Sequence, residues 1–560
     1  MSRKYFEFWP KALPHDLSVP ATNLFYNATV AATRYPDKPF VVFFEGVLTF
    51  AQFAQQCEQL AGYLQQDCGV QQGDRVLLVM QNSPQFIVSY YAILRANAVV
   101  VPVNPMSVSA ELEHYLQDSG AKVALVAQEV YPQIKPLLGS KVDRVIVAAY
   151  SDYILPTSQL RMPEVVTAPR QAITESGVTL WSAALAANRK PGELCMGPDD
   201  LCVIPYSSGT TGRPKGCMLT HRNVMHTLLV NTVWFGGHQD SNQLVVLPFF
   251  HVTSMQGGMN APIYQGSTIV LMCRWDRDVA AELIQRYKLI SWTAISTMVI
   301  DFLANPRLNE YDLSSLQRVS GGGAAMPAAV GERLQQLIGS PYVEGYGLTE
   351  TIAPTHINPP DRPKRQCLGI PICNTDSRVI DPDSLKELPP GQVGEIVSHG
   401  PQIFRGYWRN EEATRAAFIE LDGKRFFRTG DLGYVDEDGY FFLVDRLKRM
   451  INASGYKVWP AEVEAQMYQH PAIQEACVIA SKDAHRGETV KAVVVLRPSH
   501  KGQVTESDII EWTRQNMAVY KHPRVIEFVD ALPKSATGKV QWRALQEQEM
   551  ARAAGVAKTG

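Results

Sequence analysis

Short apolar runs alternate with amphipathic ones along most of this chain. Phe50, Phe53, Cys57, Leu60 and Leu64 recur at helical spacing, and Thr49 stands where a side-chain oxygen can cap the first turn. "RVLLVM" (75–80) then reads as a buried strand, and "PQFIVSYYAILRAN" (84–97) as a helix with proline in its first turn. "AVVVPV" (98–103) is the next strand, "SAELEHYLQDSG" (109–120) the next helix and "KVALVA" (122–127) another strand. This rhythm predicts a mostly parallel sheet. Residues 128–199 are less regular, and "LPTSQLRMPEVVTAPRQ" (155–171) is expected to be a surface excursion.

The rhythm resumes further on. "QLVVLP" (243–248), "STIVLM" (267–272), "ISWTAI" (290–295), "LQRVSG" (316–321) and "SPYVEG" (340–345) are strands separated by helical segments, which predicts two αβ halves around one cleft. From about Asn374 the pattern becomes β-rich, with turns at "PPGQVGE", "ELDGKR" and "DEDGY". After Asp445 it changes again, to a helix (460–469), a strand "AVVVLRP" (492–498) and a long amphipathic helix after Thr505, with "DRLKRM" (445–450) as the boundary. The expected class is α/β. A large N-terminal domain (residues 1–445) would hold two αβ sheet subdomains and a β-rich one, and a small α+β C-terminal domain (446–560) would follow.

Composition adjusts this picture only slightly. A chain of 560 residues needs more than one core. Its 46% hydrophobic and 19% charged residues are ordinary for a globular protein, and a net charge of −2 gives no field for nucleic acid. No apolar run is long enough to span a bilayer. Peripheral membrane contact stays open, as does the choice between monomer and homodimer. The nine cysteines are scattered with no CxxC pair, so neither zinc sites nor a disulfide framework is expected. With no signal-peptide core at the start and no peroxisomal address in the final "KTG", a cytoplasmic protein is expected.

The densest candidate chemistry is "YSSGTTGRPKG", residues 206–216. It leaves the short strand at 201–204 and crowds N–H and hydroxyl donors on a flexible backbone, which suits an anion and above all phosphate. It is not a Walker A loop: five residues after Gly209 comes Pro214, and Lys215 is followed by Gly216 rather than a hydroxyl residue. Alone it could be a solvent-exposed loop.

Four further stretches join it. "SGGGAAMP" (320–327) and "EGYGLTE" (344–350) each follow a strand; "RTGDLGYVDEDGY" carries Asp431; "PKSATGK" (533–539) ends on Lys539. Together, in this order and spacing, the five motifs resemble those of the acyl-adenylate-forming superfamily: acyl- and aryl-CoA ligases, firefly-type luciferases and peptide-synthetase adenylation domains. The resemblance covers nearly the whole chain. It implies a large N-terminal domain with a mobile C-terminal lid. It also implies a two-step reaction: a carboxylate attacks the α-phosphate of ATP, giving acyl-AMP and pyrophosphate, and the thiol of CoA then displaces AMP.

The resemblance also implies roles. Ser207, Ser208, Gly209, Thr210, Thr211, Gly212 and Lys215 would hold the β- and γ-phosphates. Glu350, with Ser207, would hold Mg²⁺, which favours few carboxylates together with phosphate oxygens and water. Adenine would lie between the Gly322, Gly323 and Ala324 backbone and Tyr346, with Gly345 and Gly347 beside it, and Thr349 would reach the α-phosphate. Asp431 would bind ribose, with Arg446 nearby. Lys539 would bridge the acid and the α-phosphate during adenylation. The lid would turn about a hinge near Lys448 to bring up the loop "NASGYK", whose Gly455 leaves space for CoA.

The acid is read from "LPFFHVTSMQGGMNAP" (247–262), which matches the family segment lining the acyl pocket. His251 has a packing role or a direct catalytic one, and a gating or positioning role is favoured because its side chain can both stack and donate a hydrogen bond. The segment holds no aspartate to pair an α-ammonium, so an amino-acid substrate is not expected, because a buried unpaired amine is costly. Gly257, Gly258, Ala324, Ala325 and Ala353 are small walls that leave room for a long chain, worth roughly 0.8 kcal/mol per buried methylene. A medium- to long-chain fatty acid is expected, with an aryl acid as the alternative and a luciferase-like oxygenase more distant. "AISTM" (294–298) departs from the proline common in relatives, so chain length and shape stay open.

Overall fold

The computed structural model describes residues 4–11, 13–207, 214–323, 325–453, 456–483, 487–534 and 540–556. They form two compact units. The first comprises Met1–Ser377, Ser398–Arg428 and Glu437–Phe441, and the second Arg378–Val397, Thr429–Asp436 and Phe442–Gly560. The chain passes between the units several times within the β-rich stretch.

Two sheets organise the first unit. One has seven strands in the order Leu219–Thr220, Leu201–Val203, Val99–Pro102, Arg75–Val79, Val123–Ala127, Arg144–Ala148 and Val178–Leu180. All its pairings are parallel except the Leu219–Thr220 edge. The other has nine, in the order Ile370–Pro371, His356–Ile357, Val343–Tyr346, Arg318–Gly322, Ser291–Thr293, Gln243–Val245, Ile269–Leu271, Pro39–Phe43 and Gly46–Thr49. Its six central strands are parallel and its outer pairings antiparallel. In each sheet the parallel strands therefore end along one edge, and the segments that begin at Tyr206, Ser320 and Glu344 and the segment 247–262 lie at or after those carboxyl ends, the usual ligand side of open α/β sheets.

Local sequence accounts for many of these elements. The helix Phe50–Gln66 starts with a reciprocal capping box: Gln52 N donates to Thr49 Oγ1 and Thr49 N to Gln52 Oε1. Its five periodic apolar residues are all buried. The helix Pro84–Arg95 has proline at its start and Ser83 as cap, and is buried from Pro84 to Leu94. Most of its residues are apolar and its buried Gln85 donates to Ala149 O at 2.7 Å, so the helix can lie inside the core. In the hairpin Phe418–Leu421/Lys424–Phe427, Asp422 and Gly423 both adopt positive φ, as a two-residue Asp-Gly turn requires.

In the stretch 128–199, where the sequence is less regular, the sheet continues. Arg144–Ala148 is a fully paired strand of the seven-stranded sheet, buried over its last four residues, and Val178–Leu180 forms the sheet's edge. The excursion at 155–171 is anchored by buried Leu160 and Val166 and contains a helical turn, Glu164–Thr167. The connections here replace regular helices with short turns, so the periodic signal fades while the sheet continues.

The second unit holds a long antiparallel pair, Ile473–Asp483 with Gly487–Leu496, joined in parallel by Val525–Phe528 and flanked by the short pair Ile451–Ala453/Tyr456–Val458. Helices Pro460–Met467, Glu506–Asn516 and Trp542–Val556 accompany this sheet over a core that includes Val478, Val490, Ala492 and Val494. No described helix is long and apolar enough to cross a membrane.

Candidate active site

The described stems of the Gly/Ser/Thr loop are Tyr206–Ser207 and Lys215–Gly216, which pair antiparallel. Tyr206 Oη donates to Asp118 Oδ2 at 2.6 Å and anchors one stem. Beside the other stem runs the segment 404–408: Trp408 N donates to Gly216 O at 2.8 Å, Arg405 N to Met218 O at 2.9 Å, and Cys217 and Tyr407 form a bridge. The same segment reaches the "GLTE" turn, where Phe404 N donates to Glu350 O at 2.9 Å and Tyr407 Oη to Glu350 Oε1 at 2.9 Å. Lys215 Nζ stands 5.1 Å from the centroid of the Tyr407 ring. Tyr407 therefore links the loop lysine to the acidic turn.

Ser207 and Glu350 are buried in this cluster, while Lys215 and Tyr407 are half-buried. Glu350 is 8% exposed. Burial, followed by the Glu350 charge, pushes the Tyr407 phenol well above its ordinary value, so it remains a donor. Burial does the same to the Cys217 thiol. The Ser207 hydroxyl is buried beside that thiol, with no nitrogen or oxygen partner among the described residues. Glu350 spends one oxygen on Tyr407. A buried carboxylate and an unsatisfied hydroxyl are the oxygen donors a hard cation takes, so these residues fit Mg²⁺. Among the described residues no cluster of three or more His, Cys, Asp or Glu side chains could hold a metal alone.

The glycine-rich strand end has a structural cause of its own. Ser320–Gly322 pairs in parallel with Val343–Gly345. A Cβ on Gly322 would stand 2.2 Å from Gly345 O, and one on Gly321 1.9 Å from Ala294 O. Gly323 turns out of the strand at φ +84°. Tyr346 is buried, with its ring 5.7 Å from that of His356. Burial pushes the Glu344 carboxyl up to about 7, although its Oε1 accepts Met326 N at 3.0 Å. Thr349 is half-buried in the turn Thr349–Thr351.

The acyl segment follows the strand Gln243–Val245. His251 is exposed, beside the Phe250 ring at 4.7 Å, and caps the turn Val252–Ser254. Met255–Asn260 is then π-helical, a form that recurs at functional sites. A buried polar chain supports it: Gln256 Nε2 donates to Val224 O at 2.8 Å and to Thr227 Oγ1, Asn260 Nδ2 to Gln256 Oε1 at 2.6 Å, and Tyr91 Oη to Asn260 Oδ1 at 3.0 Å. A Cβ on Gly258 would meet Ser254 Oγ at 2.9 Å, whereas one on Gly257 would meet nothing within 4 Å. Of these two glycines, Gly257 is the one with open space where a Cβ would stand.

In the second unit Asp431 is 1% exposed and Arg446 Nε stands 3.0 Å from its Oδ1. Of Lys448 the structure describes the backbone, in the turn Leu447–Arg449. Ser208, Gly209, Thr210, Thr211, Gly212, Ala324, Gly455 and Lys539 lie outside the described residues. Sequence reasoning passed over Tyr407 altogether. Its one available signal was an aromatic pair inside the turn-like "RGYWRN".

Known proteins resemble this chain along most of its length. Residues 28–408 match the model of the AMP-binding enzyme family, and 462–539 that of the AMP-binding enzyme C-terminal domain. A long-chain-fatty-acid–CoA ligase of Bacillus subtilis (strain 168) is 35% identical over 550 residues, covering 97% of each chain. A feruloyl-CoA synthase of Amycolatopsis sp is 34% identical over 497 residues, 88% of this chain and 92% of its own. The crystal structure of the anthranilate CoA ligase AuaEII in complex with anthranoyl-AMP superposes with a TM-score of 0.82 at 26% identity, covering 97% of this chain and 99% of that one.

Proposed function

The chain belongs to the AMP-binding enzyme family, and from that premise we propose that it is an ATP-dependent acid–thiol ligase for medium- to long-chain fatty acids. A carboxylate oxygen attacks the α-phosphorus of ATP, and the bond to the bridging oxygen breaks, releasing pyrophosphate. The thiol of CoA then attacks the acyl carbonyl, and AMP leaves with the electron pair of the acyl C–O bond. The single observation that carries the reaction class is the cluster of Ser207, Lys215 and Glu350 braced by Tyr407.

The chemistry explains why such a cluster is needed. A carboxylate is a weak nucleophile facing an anionic phosphate, so charge must be neutralised and geometry fixed beforehand. Lys215 and the donors of the loop hold the β- and γ-phosphates, and Thr349 the α-phosphate. Glu350 and Ser207 are the residues that would hold Mg²⁺, which when bound supplies charge neutralisation on the phosphates. Tyr346 and the backbone at Gly322 and Gly345 flank the base. Asp431 takes the ribose hydroxyls, with Arg446 as its partner. Lys539 neutralises charge between acid and α-phosphate, and His251 positions the acid. A lid that turns near Lys448 separates the two half-reactions, since one rigid arrangement cannot present Lys539 and also admit a thiol.

The nature of the acid rests on the Bacillus subtilis relative, a long-chain-fatty-acid–CoA ligase similar along both whole chains, and on the open space beside Gly257. The feruloyl-CoA synthase relative supports an aryl acid as the second reading. A pyrophosphate-release screen with short to long alkyl acids and several benzoates, with and without CoA, tests both. Activity that rises with alkyl length and yields the CoA thioester supports the first. Activity confined to ring acids replaces it with the second, and no acid-dependent pyrophosphate release refutes both.

A further inference from the structure

We infer that Asn82 is a positioning residue for the carboxylic acid: its side-chain amide holds the segment that presents His251. Asn82 is 3% exposed and lies just past the carboxyl end of the strand Arg75–Val79. Its Nδ2 donates to Leu247 O at 2.9 Å, and its Oδ1 accepts Phe249 N at 2.9 Å. One side chain thus satisfies a carbonyl and an N–H two residues apart, as the backbone of a neighbouring strand would. A primary amide of this length offers both functions, whereas aspartate has no donor and leucine has neither.

The clamp itself is held firmly. On one side of Asn82, Gln81 N donates to Tyr150 Oη at 2.7 Å, and Tyr150 Oη donates to Glu129 Oε1 at 2.7 Å. On the other side, Ser83 Oγ accepts Phe86 N at 3.2 Å and starts the buried helix Pro84–Arg95. Gln81, Glu129 and Tyr150 lie just past the ends of three strands of the seven-stranded sheet, and Ser83 starts the helix that follows the first of them. Leu247 and Phe249 follow the strand Gln243–Val245 of the nine-stranded sheet. Asn82 therefore sets the offset between the carboxyl edges of the two sheets where the acyl segment leaves one of them. Phe249 is fully buried, with its ring 5.5 Å from that of Phe86. Its N–H would have no water to turn to without Asn82, so the segment would shift to find a partner. His251 follows two residues later, tied by its N to Pro248 O at 3.1 Å, and would move with it.

The inference rests on the reading of residues 247–262 as the acid pocket. Steady-state kinetics of Asn82→Ala and Asn82→Asp, with the acid and ATP varied separately, test it, using whichever acid the wild type activates best. That choice separates a wrong acid class, seen in the wild type alone, from a wrong role for Asn82. Asn82→Ala should raise the KM for the acid by about tenfold or more, leave the KM for ATP unchanged and flatten the preference among acids of different length. Asn82→Asp keeps the acceptor for Phe249 N–H but sets a second acceptor against Leu247 O, so it should move the acid KM in the same direction. An unchanged acid KM, or acid and ATP KM rising together, overturns the inference. If Asn82→Ala does not fold by circular dichroism, the isosteric Asn82→Asp decides by the same criteria.

Discussion

The phenol of Tyr407 donates a 2.9 Å hydrogen bond to Glu350 Oε1 while its ring faces Lys215 Nζ at 5.1 Å from the centroid. One side chain thus orients the acidic residue and lies under the basic one. Neither motif contains it: Tyr407 arrives from a segment more than fifty residues beyond Glu350, pinned by backbone bonds to both.

Two variants separate the carboxylate from its brace. Glu350→Gln should abolish pyrophosphate release with little change in thermal unfolding, because a metal-ligand carboxylate acts chiefly on the metal. Tyr407→Phe should weaken the apparent affinity for Mg²⁺ by roughly 10–100-fold, the usual effect of losing a group that orients a ligand. Titrating activity with Mg²⁺ at saturating ATP measures the second. Near-normal pyrophosphate release from a folded Glu350→Gln protein refutes the assignment.

Gly322 should prove to be required by the sheet before it is required by a nucleotide. A Cβ 2.2 Å from Gly345 O cannot be accommodated without shifting a strand. Gly322→Ala should therefore destabilise the protein by on the order of 1–3 kcal/mol, as overpacking does, in thermal unfolding without ATP. A variant that melts like the wild type and yet loses ATP affinity would assign the glycine to the base instead.

His356 makes a pH prediction with a definite sign. It is fully buried, and burial pushes its imidazole down to about 3. The unfolded chain takes up a proton near the ordinary histidine value of about 6.5. The stability that goes with neutral His356 is thus complete above about 6.5 and is lost as pH falls toward 3, by up to about 1.4 kcal/mol per pH unit. Glu344 runs the other way: its carboxyl is raised to about 7, so its contribution falls as pH rises from 4.5 toward that value. Comparing urea midpoints of wild type and His356→Phe across pH cancels the Glu344 contribution. The stability of the wild type minus that of the variant should fall steadily as pH drops below about 6.5, and a constant difference would mean that the imidazole does not stay neutral.

The two half-reactions should come apart in the second unit. Lys539→Ala should abolish acyl-AMP formation but leave CoA transfer from supplied acyl-AMP largely intact, while Gly455→Trp should do the reverse. Both are to be measured on proteins shown to be folded by circular dichroism. Equal loss of both half-reactions in Lys539→Ala would rule out the division of labour.

Much of the architecture was legible in order. The capped helix Phe50–Gln66, the proline-led helix Pro84–Arg95 and the Asp422–Gly423 hairpin are decided by neighbours a few residues apart. Local interactions leave periodic marks, and these survive in the chain as written. The motif glycines and the Lys215 and Glu350 pair were likewise visible, because their residue types are set by chemistry at one point of the backbone.

Tertiary structure alone decided which strangers meet. Arg144–Ala148 is an interior strand whose flanks lack helical rhythm, so its place came from pairing with Val123–Ala127. Gly322 is a glycine because Gly345 lies beside it, and Tyr407 matters because it closes on Cys217 and Glu350. Asn82 looks like an ordinary turn residue until Leu247 and Phe249 are brought to its amide. Each of these contacts joins positions far apart in the chain. A hydrogen bond or a steric clash depends on distances of a few ångströms that no periodicity encodes, so the residues that brace the site became evident only when the two sheets were folded side by side.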